Sequence, residues 1–326
     1  MNSKKLTLNL IIGAVLMIFA VQISASENGK IVFANNGGIF TMNPNGSGRT
    51  QVASSGDYPK FSPDGTKIAF YGAGIGNGEI YLINADGSNQ RFLTSGSFYI
   101  DRKKITWSPD SSKIAFTCET YGRICTVNTD GSNRTIINNN LEDYAPDWSP
   151  DGSKIAFTRR FDKGLHDEIY VMDINGNNQT RLTNNDSPDI KPVWSPDGEK
   201  LAFSRYYACI FFSDDYFLCF GNSIYTMNAD DGSNQTLLAT GNAFEDNTIG
   251  DPRWSPDGKK IIFSGYVLIG EQAFADIFVI NATGGNRKNL TNTDNLSELF
   301  PDWGPLAPTS PTDRTAFDFD GDGKND

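Results

Sequence analysis

The stretch DWSPDGSKIAFTRR, residues 147–160, is one version of a phrase that this chain repeats. The others read KFSPDGTKIAFYG from Lys60, TWSPDSSKIAFTC from Thr106, VWSPDGEKLAFSR from Val193 and RWSPDGKKIIFSG from Arg253. A sixth begins at Asp302 as DWGPLAP and breaks off after its tryptophan. Aligned on the aromatic, the copies place Phe61, Trp107, Trp148, Trp194, Trp254 and Trp303 at steps of 46, 41, 46, 60 and 49 residues. A period of this size belongs to propellers and solenoids, in which no unit buries its apolar face alone.

Each unit supplies the same short runs. One is IVF at Ile31, IAF at Ile68, Ile114 and Ile155, LAF at Leu201 and IIF at Ile261. A second follows from Ile39, Ile80, Ile124, Ile169, Ile224 and Ile277, as in IYLIN and IYVMD. A turn such as DGSN and a last short run complete the unit. The runs are rich in β-branched and aromatic residues and are bounded by Pro, Asp, Gly and Asn, the signature of strands joined by tight turns. They are nearly continuous in apolar residues, as strands covered on both faces are. Beyond the first 26 residues no sustained helical period occurs.

Four antiparallel strands per unit, six times over, predict an all-β, six-bladed β-propeller. The broken sixth phrase then has a reason. The N-terminal segment from Ile31 to about Ala53 supplies strands two to four of a blade, and the segment around Phe300 to Gly304 supplies only a first strand. Pairing the two chain ends completes one blade and closes the ring, which removes exposed sheet edges.

The pattern WSPDGxKIAF followed by IYxMNxDGSNxxxLT resembles the WD40-like (PD40) repeat of the TolB family of periplasmic propellers, over about residues 28–305. The resemblance implies a fold more firmly than a function. The family's namesake carries an additional α/β domain, for which this sequence has no room. The resemblance is therefore extended to the propeller and not to membership of a Tol–Pal envelope system.

Strand direction sorts the loops. Ser-Pro-Asp-Gly and Asp-Gly-Ser-Asn turns share one face and are short and uniform; second-to-third loops and blade connectors share the other and vary, as binding loops do. The longest insertion, Arg205–Asn222, holds Tyr206, Tyr207, Phe211, Phe212, Tyr216, Phe217 and Phe220. These rings form either a platform for a protein or glycan partner or a cover that buries the insertion on the rim. Asp57, Asp143, Asp189, Asp251 and Glu298 recur before first strands. They either ring the channel mouth, to hold a cation or basic peptide, or cap turns. The repeated tryptophans and Phe61 are expected to pack between blades.

Residues 1–26 read as a secretory signal: Lys4 and Lys5, an apolar run from Leu10 to Val21, and small residues around Ala25 and Ser26. The mature chain is expected to be periplasmic or secreted, monomeric and not membrane-spanning. The full sequence carries a formal charge of −11, and removing the signal lysines Lys4 and Lys5 makes the mature chain more acidic still, which argues against nucleic acid as a partner. In an oxidising compartment the two close cysteine pairs, Cys118/Cys125 and Cys209/Cys219, read as local disulfides; four buried thiols are the other reading. FTC and RIC flank Tyr121-Gly122, a spacing that sets Cys118 opposite Cys125.

Catalytic signatures are sparse. His166 is the only histidine, and no G-x-S-x-G motif occurs. After a Pro/Thr-rich linker at 306–316, the tail FDFDGDGKND sets Asp318, Asp320, Asp322 and Asp326 at positions 1, 3, 5 and 9 of a calcium-loop pattern, with Gly323 at position 6. It resembles the start of an FG-GAP or dockerin-type loop, and weak Ca²⁺ binding there is the one cofactor expected. The sequence thus predicts a non-enzymatic, exported module that binds a protein or glycan through its variable face. A glycan-active hydrolase or lyase using carboxylates is the alternative.

Overall fold

Each phrase folds alike, and its serine and aspartate explain why. The hydroxyls of Ser62, Ser108, Ser149, Ser195 and Ser255 donate to the aspartate two residues on at 2.5–2.6 Å. Each also accepts the backbone N–H of the lysine five residues on at 2.9 Å. The turn is thereby locked from both sides, and the lysine begins the second strand in every case. The turn needs one left-handed residue, which is Gly65, Gly152, Gly198 or Gly258 at φ 69–76°. In the second copy Ser111 occupies this place at φ 60°, a conformation that costs a non-glycine residue about 1–2 kcal/mol.

The computed structural model describes residues 29–305, except 73–77, 97–103, 120–121, 139–141, 162–165, 208, 214–215, 220, 242–248 and 271; for 209–213, 216–219 and 249 it describes backbone alone. The signal-like segment, the linker and the calcium-loop aspartates Asp318, Asp320, Asp322 and Asp326 lie outside the described residues.

Six four-stranded antiparallel sheets form, one per blade, and no helix occurs among the described residues. Blades 1 to 5 begin with the strands Asp57–Phe61, Ile105–Trp107, Asp143–Trp148, Asp189–Trp194 and Ile249–Trp254. Blade 6 is the composite one. Its first strand, Glu298–Trp303, pairs with Ile31–Asn35 in the register Ile31↔Trp303 and Asn35↔Glu298, and the strands Gly38–Met42 and Thr50–Ala53 follow outward. The ring closes through the chain ends as the broken phrase implies.

Second strands form the dry centre of each blade. Ile68, Ala69, Ile114, Ala115, Ile155, Ala156, Leu201, Ala202, Ile261 and Ile262 are all fully buried. Their aromatic pairs with a ring on the third strand, as in Phe70–Tyr81, Phe157–Tyr170, Phe203–Tyr225 and Phe263–Phe278, with centroids 5.8–5.9 Å apart. An arginine commonly lies over the pair: Arg159, Arg205 and Arg287 sit 4.5–4.6 Å from the third-strand ring.

Two details differ from the sequence reading. Cys118 and Cys125 form a disulfide, but they are not directly opposite. Cys118 faces Arg123 and Cys125 faces Phe116, so the bridge runs diagonally between residues that share one face of the hairpin. In blade 5 the second and third strands run ten residues each, Lys260–Ile269 and Gln272–Asn281, and build a long hairpin from YVLIGEQAF that had no counterpart in the repeat. The Arg205–Asn222 insertion contains its own two-stranded sheet, Cys209–Ser213 with Tyr216–Cys219, in which the backbone sets Cys209 opposite Cys219.

Candidate functional site

First strands carry a shared defect. In blades 1, 3, 4, 5 and 6 two residues of the first strand oppose one of the second, a β-bulge. The residue at the bulge precedes a proline and has φ 51–55°: Tyr58, Ala145, Lys191, Asp251 and Phe300. Both features are unfavourable for a side-chain-bearing residue, and such strain collects at functional sites. Here the strained positions meet on the axis. Tyr58 stacks on Phe300 with centroids 3.7 Å apart, Lys191 Nζ lies 5.8 Å from the Tyr58 ring, and Lys191 pairs with Asp251 at 2.8 Å.

A second layer lies two residues on, just before the repeated aromatic: Lys60, Thr106, Asp147, Val193, Arg253 and Asp302. Where this residue is an acceptor it staples the next blade. Asp302, Thr106 and Asp147 accept the backbone N–H of Phe61, Trp148 and Trp194 at 2.9–3.1 Å. Lys60 Nζ and Arg253 Nε lie 2.8 and 3.6 Å from Asp302, and Lys104 Nζ lies 3.5 Å from Asp147. Lys104 also donates to the Pro192 carbonyl. Burial pulls its ammonium down to about 7, against the attraction of Asp147; Arg253 and Lys60 add to the fall. At Asp251, burial pushes the carboxyl up, but Lys191 and Arg253 outweigh it and hold the group below its ordinary range. The two layers hold Lys60, Lys104, Lys191 and Arg253 against Asp147, Asp251 and Asp302. Among the described residues, the axis of this acidic protein therefore carries more cations than anions.

The five carboxylates singled out in the sequence occupy three different places. Asp143, Asp189 and Glu298 share one register and are fully buried. Arg159 grips Asp143 through two hydrogen bonds at 2.7 Å, Arg205 grips Asp189 at 2.6 and 2.7 Å, and Arg49 meets Glu298 at 2.7 Å. Burial pushes all three carboxyls up, and the arginines only partly offset it. Asp57 stands one position later, opposite Tyr71, and Asp251 two positions later, on the axial bulge. Blades 1 and 5 have Gly56 and Ile249 where the gripped carboxylate would be, so the five do not form one ring.

Two openings follow. On the face of the short turns, a funnel of about 420 Å³ is walled by Phe61, Trp107, Trp148, Trp194, Trp254 and Trp303, with prolines at its rim and Lys60, Asp147, Arg253 and Asp302 at its floor. The tryptophans do pack between blades: Trp107, Trp194 and Trp254 donate their indole N–H to the preceding blade's carbonyl at 3.2 Å. They also line the funnel. Two buried donors at this site, Arg253 Nε and Trp303 Nε1, have no hydrogen-bond partner. On the variable face, a smaller cavity of about 140 Å³ lies between blades 4, 5 and 6. Tyr206 borders it and packs with Tyr144, Ala145 and Ile190, while the Tyr207 hydroxyl donates to the Gly241 carbonyl. The side chains of Phe211, Phe212, Tyr216 and Phe217 lie outside the described residues, as do those of Cys209 and Cys219.

Sequence reading missed the axial cations. For two of them a signal was present: Lys60 and Arg253 fall, with Asp147 and Asp302, in a column of the phrase where the copies disagree in charge.

Residues 123–264 match the family model "PD40: TolB beta propeller domain". Among solved structures, TolB from Acinetobacter baumannii is 20% identical at a TM-score of 0.69, over 86% of this chain and 67% of that one. A putative TolB from Agrobacterium tumefaciens is 19% identical at 0.60, over 86% and 99%. A chain of a nidogen/laminin complex shares the fold at 9% identity and a TM-score of 0.63, over 84% and 98%. No curated protein matches the chain by sequence. With its repeats and its six closed blades, the chain is a six-bladed β-propeller that shares the fold of the TolB structures and matches the TolB propeller model over residues 123–264.

Proposed function

We propose that the protein is an exported, non-enzymatic binding module, periplasmic or secreted and monomeric, that takes a segment of a protein partner into the axial funnel. The observation that carries this reading is a pair of buried donors without a hydrogen bond beside the aromatic wall, Trp303 Nε1 and Arg253 Nε, the latter held only in ion-pair contact with Asp302 at 3.6 Å. A buried donor without an acceptor costs about 1–3 kcal/mol, and a ligand carboxylate or carbonyl would recover it. Aromatic and prolyl walls supply stiff apolar surface around that polar floor, the usual composition of a binding site. The variable-face aromatics of the Arg205–Asn222 insertion are a second contact surface in this reading, for a protein or a glycan.

Turnover is less well supported. A glycosidase-type acid needs a raised carboxyl facing its substrate. The carboxyls that burial raises, Asp143, Asp189 and Glu298, line neither opening, and Asp251 is held low. Among the described residues no helix is long and apolar enough to cross a membrane.

Capture from envelope extracts tests the proposal. Wild-type protein should retain a specific partner that Trp148→Ala, altered on the half-buried funnel wall, releases while a cooperative, if lowered, melting transition shows that the variant still folds. Hydrolysis or elimination of a polysaccharide or peptide substrate, abolished by one carboxylate substitution, would replace binding with catalysis.

A further inference from the structure

A second repeated contact ties neighbouring blades together near the variable face; between blades 6 and 1 Ala34 has no hydroxyl to make it, and between blades 4 and 5 the hydroxyl is present without a partner. In blades 2, 3 and 5 a hydroxyl late in the second strand accepts the backbone N–H of the next blade's bulge residue. Thr117 accepts from Ala145, Thr158 from Lys191 and Ser264 from Phe300, each at 3.0 Å. In blade 1 the Tyr71 hydroxyl lies near the Lys104 backbone, which interacts with it electrostatically. Blade 4 has the matching hydroxyl, Ser204, and blade 5 the matching bulge residue, Asp251. Yet Ser204 Oγ, in a residue only 1% exposed, has no partner. At this junction the 140 Å³ cavity opens, with Ser204 and Asp251 both in its wall.

The chemistry of the wall selects among ligands. Its charges are Lys191 and Asp251, already paired at 2.8 Å, so the cavity offers neither an anion nor a cation an uncompensated partner. A hydroxyl both donates and accepts. A vicinal diol can therefore donate to Asp251 and accept from Lys191 while leaving the pair intact, and a further hydroxyl can meet Ser204. Tyr206, Tyr266 and Phe300 add ring surface to this polar group, which suits the C–H face of a carbohydrate. The volume equals about five waters at ~30 Å³ each, room for one pyranose ring and little more.

We infer that this cavity is a binding site for a single neutral sugar ring, held between the Lys191–Asp251 pair and the rings of Tyr206, Tyr266 and Phe300, with Ser204 as an additional hydroxyl partner. The site is distinct from the funnel and lies on the opposite face.

Ligand-observed NMR with the full chain tests it, using glucose, galactose and N-acetylglucosamine as probes and acetate and glycine as ionic controls. At least one sugar should show saturation transfer to its ring protons, and the controls none. Affinity should fall at least tenfold in Tyr266→Ala and measurably in Ser204→Ala. The latter removes an unpartnered hydroxyl, so its melting temperature should not drop. Trp148→Ala should leave sugar binding unchanged, which separates this site from the funnel. Comparing the preferred sugar with its disaccharide distinguishes the end of a glycan, bound equally well, from a free monosaccharide, bound better alone. Contact from acetate or glycine but from no sugar, or equal sugar binding by wild type, Tyr266→Ala and Ser204→Ala, would overturn the assignment.

Discussion

Asp302 accepts the backbone N–H of Phe61 at 3.0 Å across 241 residues of sequence, and the same carboxylate meets Lys60 at 2.8 Å. The contact joins the last strand of the chain to the first blade that the chain completes. Asp302→Ala would strip the buried N–H of its acceptor and leave Lys60 and Arg253 without their shared counter-charge. We expect a loss of about 3–5 kcal/mol, the range for breaking a buried pair by removing one partner, with a smaller loss for Asp302→Asn, which keeps an acceptor. Urea unfolding measures both. A chain ending at residue 298 should lose more than one ending at residue 305; equal midpoints would mean that the ring does not close through this strand.

Lys104 should give the fold a rising stability with pH. Its folded value of about 7 lies below its ordinary 10.5. Below about pH 7 both folded and unfolded chains hold the proton, and the cost of the buried ammonium is present in full. Between those values the unfolded chain binds a proton that the folded chain has shed, so stability increases by up to about 1.4 kcal/mol per pH unit. Lys104→Met removes this slope. The stability of wild type relative to the variant should therefore grow from pH 7 to pH 9.5, and a constant difference across that range would contradict the assignment.

The gripped carboxylates should prove structural. Asp143→Ala leaves Arg159 without its fork and is expected to cost about 3 kcal/mol, somewhat offset because Arg159 keeps Gln179 at 2.8 Å and the Tyr170 ring. Binding by the surviving folded protein should be unchanged, since neither residue lines an opening. Loss of partner capture at unchanged stability would instead place Asp143 in the binding site.

Reduction of the Cys118–Cys125 bridge should destabilise the fold. The bridge spans a sequence separation of seven, and the loop-entropy relation assigns so short a loop about 2.5 kcal/mol. Reduced protein should unfold at a correspondingly lower urea midpoint, and non-reducing peptide maps should recover the two cysteines linked.

The blades were legible because each strand-and-turn unit is fixed by local chemistry: the Ser62–Asp64–Lys67 network recurs wherever the phrase does. The axis was less legible because its geometry comes from the bulge, which shifts register by one residue. Asp143 and Asp189 open their strands outside the bulge, whereas Asp251 stands two positions further along its own and falls on the bulge itself. The diagonal disulfide escaped for a related reason. Spacing identified the hairpin that joins Cys118 to Cys125, but which residues stand opposite depends on where the turn closes. The long hairpin after Ile261 was hidden because YVLIG lies outside the repeated phrase.

The composite blade also sets an order of events during synthesis. Ile31 leaves the ribosome early, yet its neighbour across the sheet, Trp303, belongs to the last strand of the propeller to be made. Until then the strand Ile31–Asn35 has one edge without a partner, and five blades stand as an open arc. A premature stop between Asn289 and Glu298 therefore yields a chain with five blades and without the ring, exposing an unpaired strand to proteases and to other nascent copies. The final six residues of the propeller act as a check on completeness: only a chain translated to its closing strand can shut itself.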